Sequence, residues 1–282
     1  MKVIKTVKQL QGYLKKYKKR GKTIGLVPTM GALHEGHVSL VKQARKDVDC
    51  VVVSIFVNPT QFGPREDFKR YPRTFRKDAQ WCKKEKVDVI FHPHVLEMYP
   101  ESFKTTVEVA DITNVLCGQF RPGHFRGVAT VVTKLFNIVR PDIAYFGQKD
   151  AQQVAVIKRL VLDLNMPLAI RVMPTVRERD GLAMSSRNRY LSLKQRQDAV
   201  VLYQALTLAK RMVRHGIDNA QTIIRAMKRL IQEKPSAKID YCAIVNAETF
   251  TPLSKVGKRC LVVLAVWIGK TRLIDNAVLE RL

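Results

Sequence analysis

Between residues 23 and 172 the chain alternates short apolar runs with longer stretches whose apolar positions recur every three or four residues. Thr23 to Val27 predicts a strand and Gly36 to Lys46 an amphipathic helix. Cys50 to Val57 is apolar at almost every position, the pattern of a strand buried on both faces. Thr74 to Lys86, Gly127 to Val139 and Asp150 to Leu164 carry helical spacing, whereas Val87 to Phe91, Ile143 to Phe146 and Ala169 to Val172 read as strands. This alternation predicts an α/β domain over residues 1–175, built on a doubly wound, Rossmann-like parallel sheet that binds a nucleotide. Ligands of such sheets sit at the carboxyl ends of the strands.

Past residue 175 the pattern changes. Ser192-Leu193-Lys194-Gln195 is a capping box that predicts one long helix to about His215, stopped by Gly216. Asp218 to Gln221 resembles a second cap, opening a helix that ends near Pro235. Two strand-like runs follow, Ile239 to Val245 and Cys260 to Ile268. Residues 176–282 therefore read as a smaller C-terminal α+β domain, placed to act as a lid. No internal repeat or low-complexity linker marks the boundary, which rests on the change of pattern alone.

Hydrophobic residues make up 46% of the 282, which supports a packed core and excludes a disordered chain. Cys260 to Ile268, the longest uncharged apolar run near the C-terminus, is too short to span a bilayer. Met1 to Lys5 lacks the apolar segment of a secretion signal. Five cysteines without CxxC spacing read as reduced thiols of a cytoplasmic protein. Fifty Lys plus Arg against 24 Asp plus Glu give a formal charge of +26, which raises a nucleic-acid-binding module as a second reading. Against it, the chain has no zinc-finger spacing, aromatic RNA-binding signature or Arg/Gly repeat. The basic cluster Lys2 to Lys22 also interleaves with Val7, Leu10, Leu14 and Tyr17, as the polar side of a surface helix would.

The candidate chemistry falls just after strands. In Pro28 to His37, two imidazoles three residues apart, His34 and His37, share the first turn of a helix. Unpaired backbone N–H groups and the positive end of the helix dipole would add to a polyphosphate site there. Each histidine also reads as a helix cap, and the spacing is not the His-Glu-x-x-His of a zinc helix. Asn58 and Gln61 follow the buried strand with amides suited to a small polar substrate, although Asn58-Pro59 is also a common turn. In Gly147-Gln148-Lys149-Asp150, Lys149 offers a charge for phosphate, and Asp150 either orients a ribose or caps a helix. Gln153 lies one turn on. Ser185, Ser186 and Arg187 present hydroxyls and a planar fork for phosphate oxygens, or else a polar turn before the Ser192 helix.

Taken together, Pro28 to His37, Phe56 to Phe62, Tyr71 to Thr74, Arg121 to Val128, Pro141 to Gln153 and Met184 to Asn188 closely resemble the pantothenate synthetase (pantoate–β-alanine ligase) family. That family belongs to the nucleotidyltransferases whose HxGH motif works with a KMSKS-like loop. The resemblance covers most of residues 24–190 and implies a homodimeric enzyme that uses Mg2+ and ATP to join pantoate to β-alanine through pantoyl adenylate. It implies ATP contacts from Met30, Gly31, Ala32, Leu33, His34, Glu35, Gly36 and His37, from Gly147, Gln148, Lys149 and Asp150, and from Val176, Met184, Ser185, Ser186 and Arg187. His37 takes the position of the proton donor, with His34 and Lys149 as its catalytic companions. Gln61 would contact pantoate and β-alanine, Gln153 would contact pantoate, and Asp78 would lie near the metal. Two departures stand out: Gln148 replaces the family's usual Glu, and the net charge is high for a small-molecule ligase.

Overall fold

The computed structural model describes residues 1–64, 66–258 and 260–280. Its first half runs β1 (Lys2–Ile4), α1 (Val7–Lys18), β2 (Ile24–Thr29), α2 (Glu35–Asp47), β3 (Cys50–Ile55), α3 (Phe75–Lys84), β4 (Val89–Phe91), α4 (Val95–Met98), α5 (Cys117–Phe120), α6 (His124–Val139), β5 (Ile143–Gly147), α7 (Ala151–Asp163) and β6 (Ala169–Met173). The six strands form one parallel sheet in the order β1-β4-β3-β2-β5-β6. From β2 the chain builds outward through β3 and β4, and later through β5 and β6 on the other side. The order therefore reverses between β2 and β5, and a crevice opens where their carboxyl ends diverge. Strand β3 is buried at every position, as its unbroken apolar run requires. One core packs α1, α6 and α7 on one face of the sheet, and a second packs α2 and α3 on the other.

Lys2 to Lys22 divides differently from the single surface helix expected. Lys2–Ile4 pairs with β4 as an edge strand, and Thr6 then caps α1, accepting from the Gln9 N–H. Leu10 and Leu14 are buried, while Lys15, Lys16, Lys18 and Lys19 stay exposed.

The second half contains α8 (Leu193–Asp198), α9 (Val201–Arg214), α10 (Ala220–Gln232) and the antiparallel sheet β7 (Ala237–Asn246), β8 (Cys260–Ile268) and β9 (Thr271–Leu279). The Ser192–Gln195 capping box forms as read. The single helix expected beyond it is interrupted at Ala199–Val200, where Val200 and Leu202 donate three residues back, to Gln197 and Ala199, and the spiral tightens. Gly216 at φ +83° ends the hydrogen-bonded run after α9, and Asn219 caps α10. Strand β9 was not legible as a separate run; its polar Asp275 and Asn276 break the apolar pattern yet are buried. Helices α9 and α10 close a separate core against this sheet. Among the described residues no helix is long and apolar enough to cross a membrane.

Candidate active site

The loop after β2 turns into α2 through two left-handed residues, Gly31 at φ +81° and Ala32 at φ +50°. A side chain at Gly31 would meet Ile55 Cγ2 at 3.0 Å and Asp78 Oδ2 at 3.1 Å, so a larger residue would be crowded there as well as strained by φ. Asp78, 1% exposed in α3, holds this loop: its carboxylate accepts from the N–H groups of Ala32 (3.0 Å) and Leu33 (2.9 Å) and from the Thr74 hydroxyl (3.2 Å). The expected place of Asp78 near the metal is thus joined by a structural role, that of holding the loop. Both of its oxygens are spent on the loop, and it lies behind the site, outside the walls of the cavity.

The expectation of unpaired backbone N–H groups also changes. Gly31 donates to Thr29 Oγ1, His34 to the Nδ1 of His37, Gly36 to the Nδ1 of His34, and His37 to the carbonyl of His34. The two histidines thus form a reciprocal cap on α2, with ring centroids 4.1 Å apart. Because each Nδ1 accepts, each ring carries its proton on Nε2, leaving a pair of N–H donors for a ligand. Burial, followed by the neighbouring Lys149 charge, pushes the His34 pKa down to about 4. Burial and then His34 hold His37 well below its ordinary value. Both rings are therefore neutral hydrogen-bond donors at neutral pH, and the positive charge comes from elsewhere.

Asn58 and Gln61 take different roles. Asn58 is buried and fully engaged: its Nδ2 donates to Gln61 Oε1 and the Gly127 carbonyl, and its Oδ1 accepts from Tyr99 and Thr60. It orients Gln61, whose Nε2 rests 3.0 Å from the Met30 sulfur, a weak acceptor that a substrate oxygen would readily replace. Helix α6 reaches this turn because position 127 has no side chain; a Cβ there would lie 2.3 Å from the Thr60 carbonyl oxygen.

Opposite, the turn after β5 carries Lys149, whose Nζ lies 3.7 Å from Asp150 Oδ1. Asp150 occupies the cap position of α7 without a side-chain capping bond, so its carboxylate remains at the cavity. From the C-terminal half, a hairpin pairs Arg177 with Ala183 and delivers Met184 to Arg187. Ser185 caps the short turn that follows, and Ser186 meets the Tyr71 hydroxyl at 3.1 Å. Arg187 lies bidentate on Asp67 at 2.9 and 3.0 Å. Burial opposes its charge, but the Asp67 contact outweighs that and keeps the guanidinium firmly protonated.

These elements enclose a cavity of about 210 Å³ lined by Met30, His34, Gly36, His37, Gln61, Gly147, Lys149, Asp150, Gln153, Val176, Met184, Ser185, Ser186 and Arg187. It runs, past Gln61, Lys149 and Arg187, into a cleft of about 540 Å³ against the C-terminal sheet. Besides Asp78, five of the expected ATP contacts are not in its walls. Gly31, Ala32 and Leu33 are buried beneath it, Glu35 is exposed outside it, and Gln148 turns to the C-terminal sheet.

Sequence reasoning gave no role to Arg121, His124 or Glu66. Arg121 bridges Glu66 and the Gln61 carbonyl, which also accepts from His124 Nδ1 at 2.8 Å. Burial, then Arg121, lowers the His124 pKa to about 3. The quoted segment Arg121 to Val128 held the signal, but pairing across 60 residues cannot be read from spacing.

A parallel α/β sheet with paired imidazoles, a lysine and an arginine around the crevice at its topological switch point defines a nucleotide-handling α/β enzyme with a polar pocket for a second substrate. The comparisons narrow this class. The model of the pantoate-beta-alanine ligase family matches residues 2–278. A pantothenate synthetase from Caldicellulosiruptor saccharolyticus is 56% identical over 99% of this chain and 100% of its own, and one from Thermotoga petrophila is 54% identical over the same shares. The crystal structure of pantothenate synthetase from Thermus thermophilus superposes with a TM-score of 0.95 at 44% identity, covering 99% of this chain and 100% of that one. A pantoate-beta-alanine ligase from Francisella tularensis, complexed with beta-gamma ATP and beta-alanine, gives 0.82 at 37% identity, covering 99% of this chain and 97% of that one. The chain belongs to the pantoate–β-alanine ligase family.

Proposed function

We propose that this protein condenses pantoate with β-alanine at the expense of ATP, giving pantothenate, AMP and pyrophosphate. The observation that carries the reading is the convergence of the His34 and His37 Nε2 donors, Gln61, Lys149 and Arg187 on one cavity within this family's fold. A pantoate carboxylate oxygen attacks the α-phosphorus of ATP and pyrophosphate leaves. The β-alanine amine then attacks the acyl carbon of pantoyl adenylate, loses a proton, and AMP departs. Both steps gather negative charge on phosphate oxygens, so positioned donors and fixed cations supply the catalysis. Lys149, Ser185, Ser186 and Arg187 would hold the phosphates, with Met30, Gly147, Asp150, Val176 and Met184 around the nucleotide. Gln61 and Gln153 would bind pantoate, and Gln61 would also meet β-alanine. His37, neutral before ATP arrives, would act as a hydrogen-bond donor and take a proton only as the triphosphate charge raises its pKa.

Among the described residues no three metal-ligating side chains converge. Mg2+ would be held by phosphate oxygens and water, with Asp150 the carboxylate at the cavity, as suits an ion that keeps much of its hydration. Its chemistry when bound is charge neutralisation on the triphosphate. The reading includes residence in the cytoplasm, supported by five buried free thiols. It also includes a homodimer, supported by β6 as an edge strand and, at the end of α7, by the exposed Leu162 (66% exposed) and Leu164 (52%). The decisive assay follows AMP and pyrophosphate release with pantoate, with and without β-alanine. Pantoate-dependent pyrophosphate release completed by β-alanine is the expected result; its absence would remove the ligase reading.

A further inference from the structure

Residue 148 sits inside the nucleotide-binding turn yet contributes no wall to the cavity; its side chain reaches across to the C-terminal sheet. Gln148 Nε2 donates to Asn276 Oδ1 at 3.1 Å. In return, Asn276 Nδ2 donates to the carbonyls of Gln148 (2.9 Å) and Lys149 (3.0 Å). Asn276 is 5% exposed in β9, and these three bonds use its oxygen and both amide hydrogens. One residue earlier, Asp275 is 2% exposed and grips Arg177 through Nη1 at 2.6 Å and Nη2 at 3.0 Å. Arg177 opens the hairpin that leads to Ser185 and Arg187. Successive strand residues face opposite ways, so two neighbours on one strand reach the two halves of the nucleotide site, the Lys149 turn and the Ser185–Arg187 arm.

We infer that Asn276 is a positioning residue for the first step, and that Gln148 and Asn276 form a neutral amide clasp that sets Lys149 in register with the arm. This rests on the ligase reading and extends it to a strand remote in sequence. A glutamate at position 148 would set a carboxylate oxygen, with no hydrogen to donate, against Asn276 Oδ1. Rotating the Asn276 amide gives no relief, because its oxygen would then face two carbonyls. A protonated glutamic acid could donate again.

The test measures pantoate-dependent pyrophosphate release for wild type, Gln148→Glu, Gln148→Ala, Asn276→Ala and the double alanine variant between pH 5.5 and 8.5. At pH 8, Gln148→Glu is expected to lower kcat/KM for ATP about tenfold or more, the scale of a buried polar contact left unmade. KM for pantoate should stay within about twofold, since the Gln61 side of the cavity is untouched. The ratio of Gln148→Glu to wild type should climb as pH falls and the new carboxyl gains its proton. The two alanine changes together should cost no more than the worse one alone, because both break one clasp. A Gln148→Glu variant equal to wild type at pH 8, a deficit that ignores pH, or alanine effects that multiply would each overturn the clasp. An inactive wild type would instead overturn the ligase reading, so the two failures are distinguishable.

Discussion

Asp78→Asn separates two jobs that a carboxylate beside a nucleotide loop can do. In the native protein its oxygens accept from the Ala32 and Leu33 N–H groups at 3.0 and 2.9 Å, behind the cavity. Asparagine keeps the shape and one acceptor, but its amide nitrogen must then face a backbone N–H. A buried donor without its acceptor costs about 1–3 kcal/mol, so Asn should destabilise by roughly that much. Alanine strands both donors, roughly 2–6 kcal/mol by the same count, and releases Ala32 from its left-handed φ of +50°. Since domains are stable by only about 5–15 kcal/mol, the asparagine variant is the cleaner probe. Urea melting should show the lower midpoint, and pyrophosphate release should fall at every Mg2+ concentration. An Asp78→Asn protein that melts like wild type and regains activity as Mg2+ is raised would refute the loop-holding role and support the metal role.

His37→Ala should cut adenylate formation by two orders of magnitude or more, the usual scale for one transition-state donor; stopped assays of pyrophosphate release will show it, and near-native rates would exclude the role. Gln61→Ala should weaken pantoate binding about 5- to 150-fold, the equivalent of roughly 1–3 kcal/mol, with ATP binding kept; titration calorimetry on both ligands checks this. Stability should fall as pH drops from about 6.5 toward 4, because His34, lowered to about 4, and His124, lowered to about 3, stay neutral when folded and take protons when unfolded. The contribution is complete above the unfolded value and fades below it, so a flat stability curve across that window would contradict the burial argument. Replacing Lys15, Lys16, Lys18 and Lys19 by Gln should leave kcat within about twofold, as charges beyond a Debye length of roughly 8 Å are screened, whereas removing Lys149 should cripple the first step.

The parallel sheet was legible because buried strands such as Cys50 to Ile55 write an unbroken apolar run, and their helices a 3.6-residue period. Edge strand β1 was not, since three residues between lysines carry no period. Strand β9 was hidden by Asp275 and Asn276, whose polarity serves Arg177 and the Lys149 turn. At the site, residues whose own side chains line the cavity beside a strand end (His34, His37, Gln61, Lys149) were legible by type and spacing. Those that act on a partner far along the chain did not. Asp78, which the resemblance places near the metal, shows in sequence as a carboxylate but not as the acceptor of the Ala32 and Leu33 N–H groups.

The histidine cap on α2 has a consequence for how this chain can vary. Serine, threonine, aspartate and asparagine are the preferred caps, so at position 34 a residue that serves the helix better is a single substitution away. His34→Asp should raise the melting temperature, or at least hold it, while removing the Nε2 donor from the cavity. If His34 serves the ligase as proposed, natural drift toward a firmer helix start, or a stability screen blind to turnover, would select against catalysis at this position. On that proposal, foldability and activity compete for one ring, which both caps α2 and lines the cavity.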